Sequence, residues 1–128
     1  MKHACLIVLA ILSLRGIAMA EDYAPGEKLT LFHCGRCHVI NERNKYGGIG
    51  STPSFGALRT LEDWEDRMRA FYALAPHPAF TQIEGITEPF PINRPSPIYP
   101  MELTEAEIET IIEYTRTIPP KNLGNEVR

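Results

Sequence analysis

Apolar residues recur at helical spacing in three stretches of the chain, and each stretch predicts a helix. The first stretch follows Pro25-Gly26 and leads into a Cys-x-x-Cys-His sequence at residues 34–38, so we expect a short N-terminal helix there. The second stretch covers residues 60–75, with Thr60 placed to cap it and Asp63 three positions later. One face of this predicted amphipathic helix carries Leu61, Trp64, Met68, Phe71 and Tyr72.

The third stretch lies near the C-terminus. Thr104 is followed three residues later by Glu107, the pattern of a capping box, and Pro119-Pro120 ends the periodicity. We therefore predict a longer C-terminal helix over residues 104–118. Its buried stripe is expected to contain Ile108, Ile111, Ile112, Thr115 and Ile118.

Glycine and proline dominate the connections between these helices. Residues 41–59 contain four glycines and one proline, and Pro76 to Pro100 contains seven prolines in 25 residues. The second segment cannot be a regular helix or a central strand, and its apolar content favours a loop packed on the protein. Because the chain shows no strand-like alternation, we predict an all-α fold with long Pro/Gly-rich loops. The residues expected to pack are Phe80, Ile83, Ile86, Phe90, Ile92, Ile98 and Tyr99.

The first twenty residues have the composition of a secretory signal peptide. Lys2 precedes an apolar run from Ala4 to Leu14, and Ala18-Met19-Ala20 is an A-x-A cleavage site. We therefore predict a signal peptide at 1–20 and a single domain at 21–128, with no membrane span after cleavage. The apolar run is shorter than the roughly 20 residues that cross a bilayer, which leaves an uncleaved anchor as the less favoured alternative.

The net charge of the predicted mature chain favours some classes of binding partner over others. Removing residues 1–20 takes away Lys2 and Arg15, which leaves 11 basic against 16 acidic residues and a net charge of −5. This balance argues against nucleic acid and favours a partner with a basic docking surface. The acidic runs at residues 62–66 and 102–109 are interpreted as solvated helix faces rather than docking patches.

The Cys-x-x-Cys-His sequence is the strongest chemical signal in the chain. Cys34 and Cys37 can each add to one vinyl group on an edge of a haem, while His38 places an imidazole under the iron. A structural zinc site would need two further ligands, and a redox disulfide normally belongs to a βαβ pattern. Both alternatives remain open but are less favoured. One covalent haem c is therefore the predicted cofactor, and its attachment outside the cytoplasm agrees with the signal peptide.

Residues 26–118 resemble the small monohaem class I cytochrome c family. The similarity rests on "GEKLTLFHCGRCH", on "STPSF" and on "MELTEAEIETIIEYT", which resemble the family's opening helix, proline loop and closing helix in the same order. Thr30 stands where the family usually has an aromatic residue. The resemblance implies a class I cytochrome c-like fold in which short N-terminal, middle and longer C-terminal helices pack around one haem.

The same resemblance implies the iron ligands. His38 is the expected proximal ligand, and Met101, just ahead of the last helix, is the expected distal ligand, following the family's Met/His ligation. His77 is the rival candidate, with a histidine that caps the preceding helix as its alternative interpretation. Met68 is better explained as a core residue, and His33 lies too close to Cys34 to reach the opposite haem face.

Other residues are expected to lie around the haem and its proximal histidine. Pro53 resembles the family proline whose carbonyl accepts a hydrogen bond from His38, although an ordinary turn proline would look the same. Hydrogen bonds to the haem propionates are expected from Trp64, Tyr46 and Arg59, with Trp64 equally explained as core.

These features together predict a periplasmic electron-transfer protein rather than an enzyme. Its expected partners are redox donor and acceptor proteins, a periplasmic dehydrogenase or a terminal oxidase among them. Two alternatives are also compatible with the sequence: a haem protein whose open or labile sixth site binds gas or peroxide, and a cytochrome subunit docked to a periplasmic dehydrogenase.

Overall fold

The computed structural model describes residues 23–124, so the predicted signal peptide lies outside the described residues. Within residues 23–124 the α-helices are α1 (Pro25–Cys34), α2 (Phe55–Leu58), α3 (Trp64–Arg69) and α4 (Glu105–Arg116). The strands are β1 (Thr81–Ile83) and β2 (Met101–Leu103). Short 3₁₀ turns lie at Glu42–Asn44, Phe71–Ala73 and His77–Ala79. The predicted all-α fold class is confirmed, with one small sheet added.

Helix α4 matches its sequence prediction closely. The Thr104 hydroxyl accepts a hydrogen bond from the backbone N–H of Glu107 at 3.2 Å, and the Glu107 carboxylate accepts one from the Thr104 N–H at 2.8 Å. This reciprocal pair satisfies two amides that have no partner within the helix. All five members of the predicted stripe are buried: Ile108, Ile111, Ile112, Thr115 and Ile118.

Replacing Thr104 with alanine should lower the free energy of unfolding by about 1 kcal/mol, because the substitution removes the side-chain acceptor at the helix N-terminus. The matched control is Thr110→Ala in the middle of α4, where the hydroxyl only donates back to the Ala106 carbonyl and alanine favours the helix. Chemical denaturation of both variants tests this. Equal losses at Thr104 and Thr110 would show that the cap does not stabilise α4.

Helices α1 and α4 pack against each other at Gly26. A Cβ at this position would lie 2.7 Å from the Cβ of Tyr114 and 2.9 Å from the carbonyl oxygen of Thr110, which is too close for any side chain. Thr30, one turn later, is fully buried, and its hydroxyl donates to the Gly26 carbonyl at 2.6 Å. A hydroxyl that satisfies itself within the helix explains how Thr30 can occupy this closed interface.

The middle helix is shorter than predicted. It begins at Trp64 rather than after Thr60, whose hydroxyl instead donates to the Ala57 carbonyl, and it ends at Arg69. A 3₁₀ turn follows, because Ala70 leaves the helical region at φ −107° and ψ 11°. The predicted apolar face persists in part: Trp64 is buried, and Met68, Phe71 and Tyr72 are half-buried, but Leu61 is exposed.

The proline-rich segment departs from its prediction in two respects. Strand β1 lies inside it and pairs in parallel with β2, with Thr81 opposite Met101. Of the apolar residues expected to pack, Ile83 is fully buried, but others are not. The exposed members are Ile86, Ile92, Ile98 and Tyr99. Packing in this segment is therefore concentrated where β1 adds to the core.

Ion pairs join α3 to α4. Glu65 accepts from Arg116 at 2.7 Å and Glu109 accepts from Arg69 at 2.7 Å. Hydrogen bonding to Arg116 lowers the pKa of Glu65 to about 2. Part of the acidic charge predicted to face solvent is thus paired within the protein, and these exposed pairs add little stability individually.

Candidate cofactor site

A cavity of about 1110 Å³ lies among the helices. Its wall combines the last residue of α1, the first of α2 and of α3, and the buried face of α4, through Cys34, Phe55, Trp64 and Ile108. Mostly apolar side chains complete the lining. A space this large is suited to a bulky apolar cofactor with a few polar or reactive attachment points.

The Cys-x-x-Cys-His residues lie together on the cavity wall. Helix α1 ends at Cys34, and the carbonyl of Cys34 accepts hydrogen bonds from the N–H groups of Cys37 at 3.1 Å and His38 at 2.9 Å. This tight turn brings both thiols and the imidazole to one side of the cavity. Both thiols are free.

The surroundings of the two thiols favour neither alternative. Burial raises the pKa of the Cys34 thiol to about 12, with the neighbouring Cys37 adding to the shift, whereas the reactive thiolates of redox Cys-x-x-Cys pairs have a lowered pKa. Within residues 23–124, no group of three or more His, Cys, Asp and Glu side chains is placed to hold a metal ion. A structural zinc site needs four such ligands.

His38 is fixed by the loop that precedes α2. Its Nδ1 lies 2.7 Å from the carbonyl oxygen of Pro53, which can only accept, so Nδ1 carries the proton and Nε2 keeps its lone pair. Phe55 supports the ring edge-on, with ring centres 5.5 Å apart. Burial lowers the pKa of His38, against the opposing effect of the Pro53 bond. A neutral, oriented imidazole is the form that ligates a metal.

Asn44 holds the attachment turn in place and was not identified from the sequence. Its amide donates to the carbonyl of His38 at 2.9 Å and to that of Gly35 at 3.3 Å, and its oxygen accepts from the N–H of Ile40 at 2.8 Å. The spacing of Asn41 and Asn44, a capping pair for a short turn, was the available signal. One side chain therefore ties both ends of the turn together.

His77 lines the same cavity as His38. Their rings are parallel within 5°, and their centres are 6.2 Å apart. The Nδ1 of His77 lies 3.0 Å from the carbonyl oxygen of Leu74, and the rings of Phe71 and Phe80 lie 5.2 and 5.8 Å away. His77 is thus held in the same way as His38, by a carbonyl on Nδ1 and by aromatic neighbours.

The methionines predicted as ligand or core also reach the cavity. Met101 lines it from strand β2, where its N–H donates to the Phe80 carbonyl at 2.8 Å, and Met68 lines it from α3. His33 lines the cavity too, from α1 beside Cys34. The assignment of Met101 as distal ligand stays a prediction.

The residues expected to bind propionates are not all at the cavity. Trp64 lines the cavity with the guanidinium of Arg59 above its ring at 4.5 Å. Arg59 itself donates to the carbonyl of Ile118 at 3.1 Å, away from the wall, and Tyr46 is 94% exposed. Two other arginines, Arg36 within the cysteine motif and Arg67 on α3, reach the rim and were not considered from the sequence.

Comparison with known proteins accounts for this arrangement. A family model described as "Cytochrome c" matches residues 23–119. The chain belongs to the class I monohaem cytochrome c family. It is also similar to a protein named "Cytochrome c-552" from Bradyrhizobium diazoefficiens, at 30% identity over 94 residues, which covers 73% of this chain and 82% of that protein. No solved structure matches the chain.

Family membership defines the cofactor as covalently bound haem c, and the site fits it. Two thiols and a preoriented imidazole line one large apolar cavity. A haem-attachment peptide needs this arrangement, because it must supply both thioether bonds and an iron ligand. This cytochrome c is an electron-transfer haem protein, and members of its family are generally electron carriers. The part of the chain that the structure describes contains no helix long and apolar enough to cross a bilayer.

Proposed function

We propose that this cytochrome c is a periplasmic carrier that passes single electrons between partner redox proteins. Haem c supplies an iron that changes between Fe(III) and Fe(II). The observation that carries the proposal is the contact between His38 and Pro53, which leaves Nε2 of a neutral imidazole for the iron at the apolar cavity wall. Cys34 and Cys37 are the proposed thioether attachments, and His38 is the proposed proximal ligand.

The chain's own residues would keep the site unchanged between oxidation states. Asn44 anchors the backbone of the turn that carries Cys37 and His38, and the Pro53 carbonyl restrains the imidazole. Phe55, Trp64 and Ile111 contribute apolar surface that excludes water from the cavity. A rigid site without water reduces the rearrangement of surrounding groups that accompanies a change in the charge of the iron.

The rim of the cavity provides a surface for partners. Phe32, Ile49 and Tyr99 line the cavity and are 76%, 52% and 78% exposed. Exposed aromatic and aliphatic side chains around a cofactor edge are typical of a protein contact surface. With a net charge of −5 over residues 21–128, basic redox proteins are the favoured donors and acceptors.

The test uses the full-length gene expressed in a host that attaches haem c outside the cytoplasm. Intact mass should equal residues 21–128 plus one haem, and a spectroelectrochemical titration should follow a reversible one-electron curve in both directions. Electron transfer to a basic redox protein should slow as ionic strength rises, because salt screens the attraction. A bare-chain mass, irreversible reduction or sustained peroxide turnover would contradict the carrier.

A further inference from the structure

We propose that His77, and not Met101, is the distal iron ligand, so that the haem is held between two imidazoles. The inference rests on the proposed function, because it requires the haem that Cys34, Cys37 and His38 are proposed to hold.

The separation of the two rings matches a shared metal ion. A metal–imidazole nitrogen bond is about 2.0 Å long. A five-membered ring with sides of about 1.33 Å places each nitrogen about 1.1 Å from the ring centre. Two imidazoles that point at one metal from opposite sides therefore have centres about 6.2 Å apart. The centres of His38 and His77 are 6.2 Å apart, and the rings are parallel within 5°.

Each imidazole keeps the same nitrogen available. The Pro53 carbonyl lies 2.7 Å from Nδ1 of His38, and the Leu74 carbonyl lies 3.0 Å from Nδ1 of His77. Because a carbonyl only accepts, both rings carry their proton on Nδ1 and a lone pair on Nε2. Each Nε2 therefore keeps a lone pair that a metal cation can accept. A carbonyl on the far nitrogen is also the usual support of a metal-ligating histidine.

The surroundings of His77 restrict its ring. Phe71 meets it edge-on at 87°, and Phe80 lies against it at 60°. Pro76 and Pro78 flank it and fix the backbone on both sides. A histidine that only capped the preceding turn would need the contact to Leu74 alone, and would not need to lie parallel to the ring of His38.

Met101 has a packing role in the same structure. It belongs to β2, whose backbone is paired with β1, and residues two apart on a strand share a face. Met101 therefore faces the same side as Leu103, which is 3% exposed in the core. The half-buried Met101 side chain packs against that core and forms part of the cavity wall.

The experiment compares four forms of the haem-loaded protein: wild type, His77→Ala, His77→Met and Met101→Leu. The oxidised wild type should lack the weak far-red band that arises from sulfur-to-iron charge transfer. His77→Ala should bind carbon monoxide rapidly when reduced, and added imidazole should restore the wild-type spectrum. His77→Met should gain the far-red band and show a higher reduction potential, because a thioether favours Fe(II). Met101→Leu should still lack the far-red band and should still not bind carbon monoxide rapidly when reduced.

Two results would overturn the proposal. One is a far-red band in the wild type that Met101→Leu abolishes, and the other is a reduced wild type that binds carbon monoxide as fast as His77→Ala, which would mean an open site. The wild-type spectra decide the matter even if a variant fails to fold. A wild type without attached haem or without reversible reduction would refute the carrier function, whichever ligand lies opposite His38.

Discussion

Replacing both Cys34 and Cys37 with alanine is expected to abolish covalent haem attachment and, once the haem is extracted, cooperative unfolding. The cavity of about 1110 Å³ has a mostly apolar wall, so removing the cofactor leaves that wall open to water. A domain of roughly 100 residues is only marginally stable even with a complete core. The haem-free chain should therefore melt over a broad temperature range.

Circular dichroism melting of the extracted double variant measures this effect, with intact mass confirming that no haem is attached. Cys37→Ala is the matched intermediate, because it leaves one thioether to Cys34 and should unfold cooperatively at a reduced temperature. A sharp thermal transition in the haem-free double variant would show that the polypeptide core is sufficient without the cofactor.

Replacing Ile112 with alanine is expected to lower the free energy of unfolding by about 2–5 kcal/mol, because it leaves a void in a closed interior. Ile112 has 0% exposure and lies on the buried stripe of α4, the helix that packs against both α1 and α3. A loss of this size is a large part of the roughly 5–15 kcal/mol that stabilises a typical domain.

Chemical denaturation of the haem-loaded protein tests this prediction, and Glu113→Ala is the matched control. Glu113 is the next residue on α4 and is exposed, so its replacement should change stability by no more than about 0.5 kcal/mol. Ile112 lies outside the cavity wall, so the haem spectrum of Ile112→Ala should stay unchanged. A loss below about 1 kcal/mol would mean that the interior refills around position 112.

Most of the correct sequence predictions rest on patterns of residues that are close together in the chain. The capping pair Thr104 and Glu107 and the isoleucine stripe of α4 are set by spacing within one helix, and they formed as expected. The middle helix was overextended because residues 60–75 keep a helical period while Ala70 departs from helical geometry. Strand β1 was missed because three residues are too few to show an alternating pattern.

The sequence by itself determined the closing helix and the haem-attachment motif, and it predicts His38 as the proximal ligand, since each is encoded within a few neighbouring residues. Only the tertiary structure decided which residues meet across the cavity. The contact between His38 and Pro53 joins positions 15 residues apart, and β1 pairs with a strand on the far side of a proline-rich loop. Likewise, His77 and Met101 both precede α4 in sequence and were both candidate ligands. Only the folded chain shows that the ring of His77 lies parallel to that of His38, with the ring centres 6.2 Å apart. Distance along an irregular loop does not set distance in space, because its path depends on long-range packing that no local pattern records.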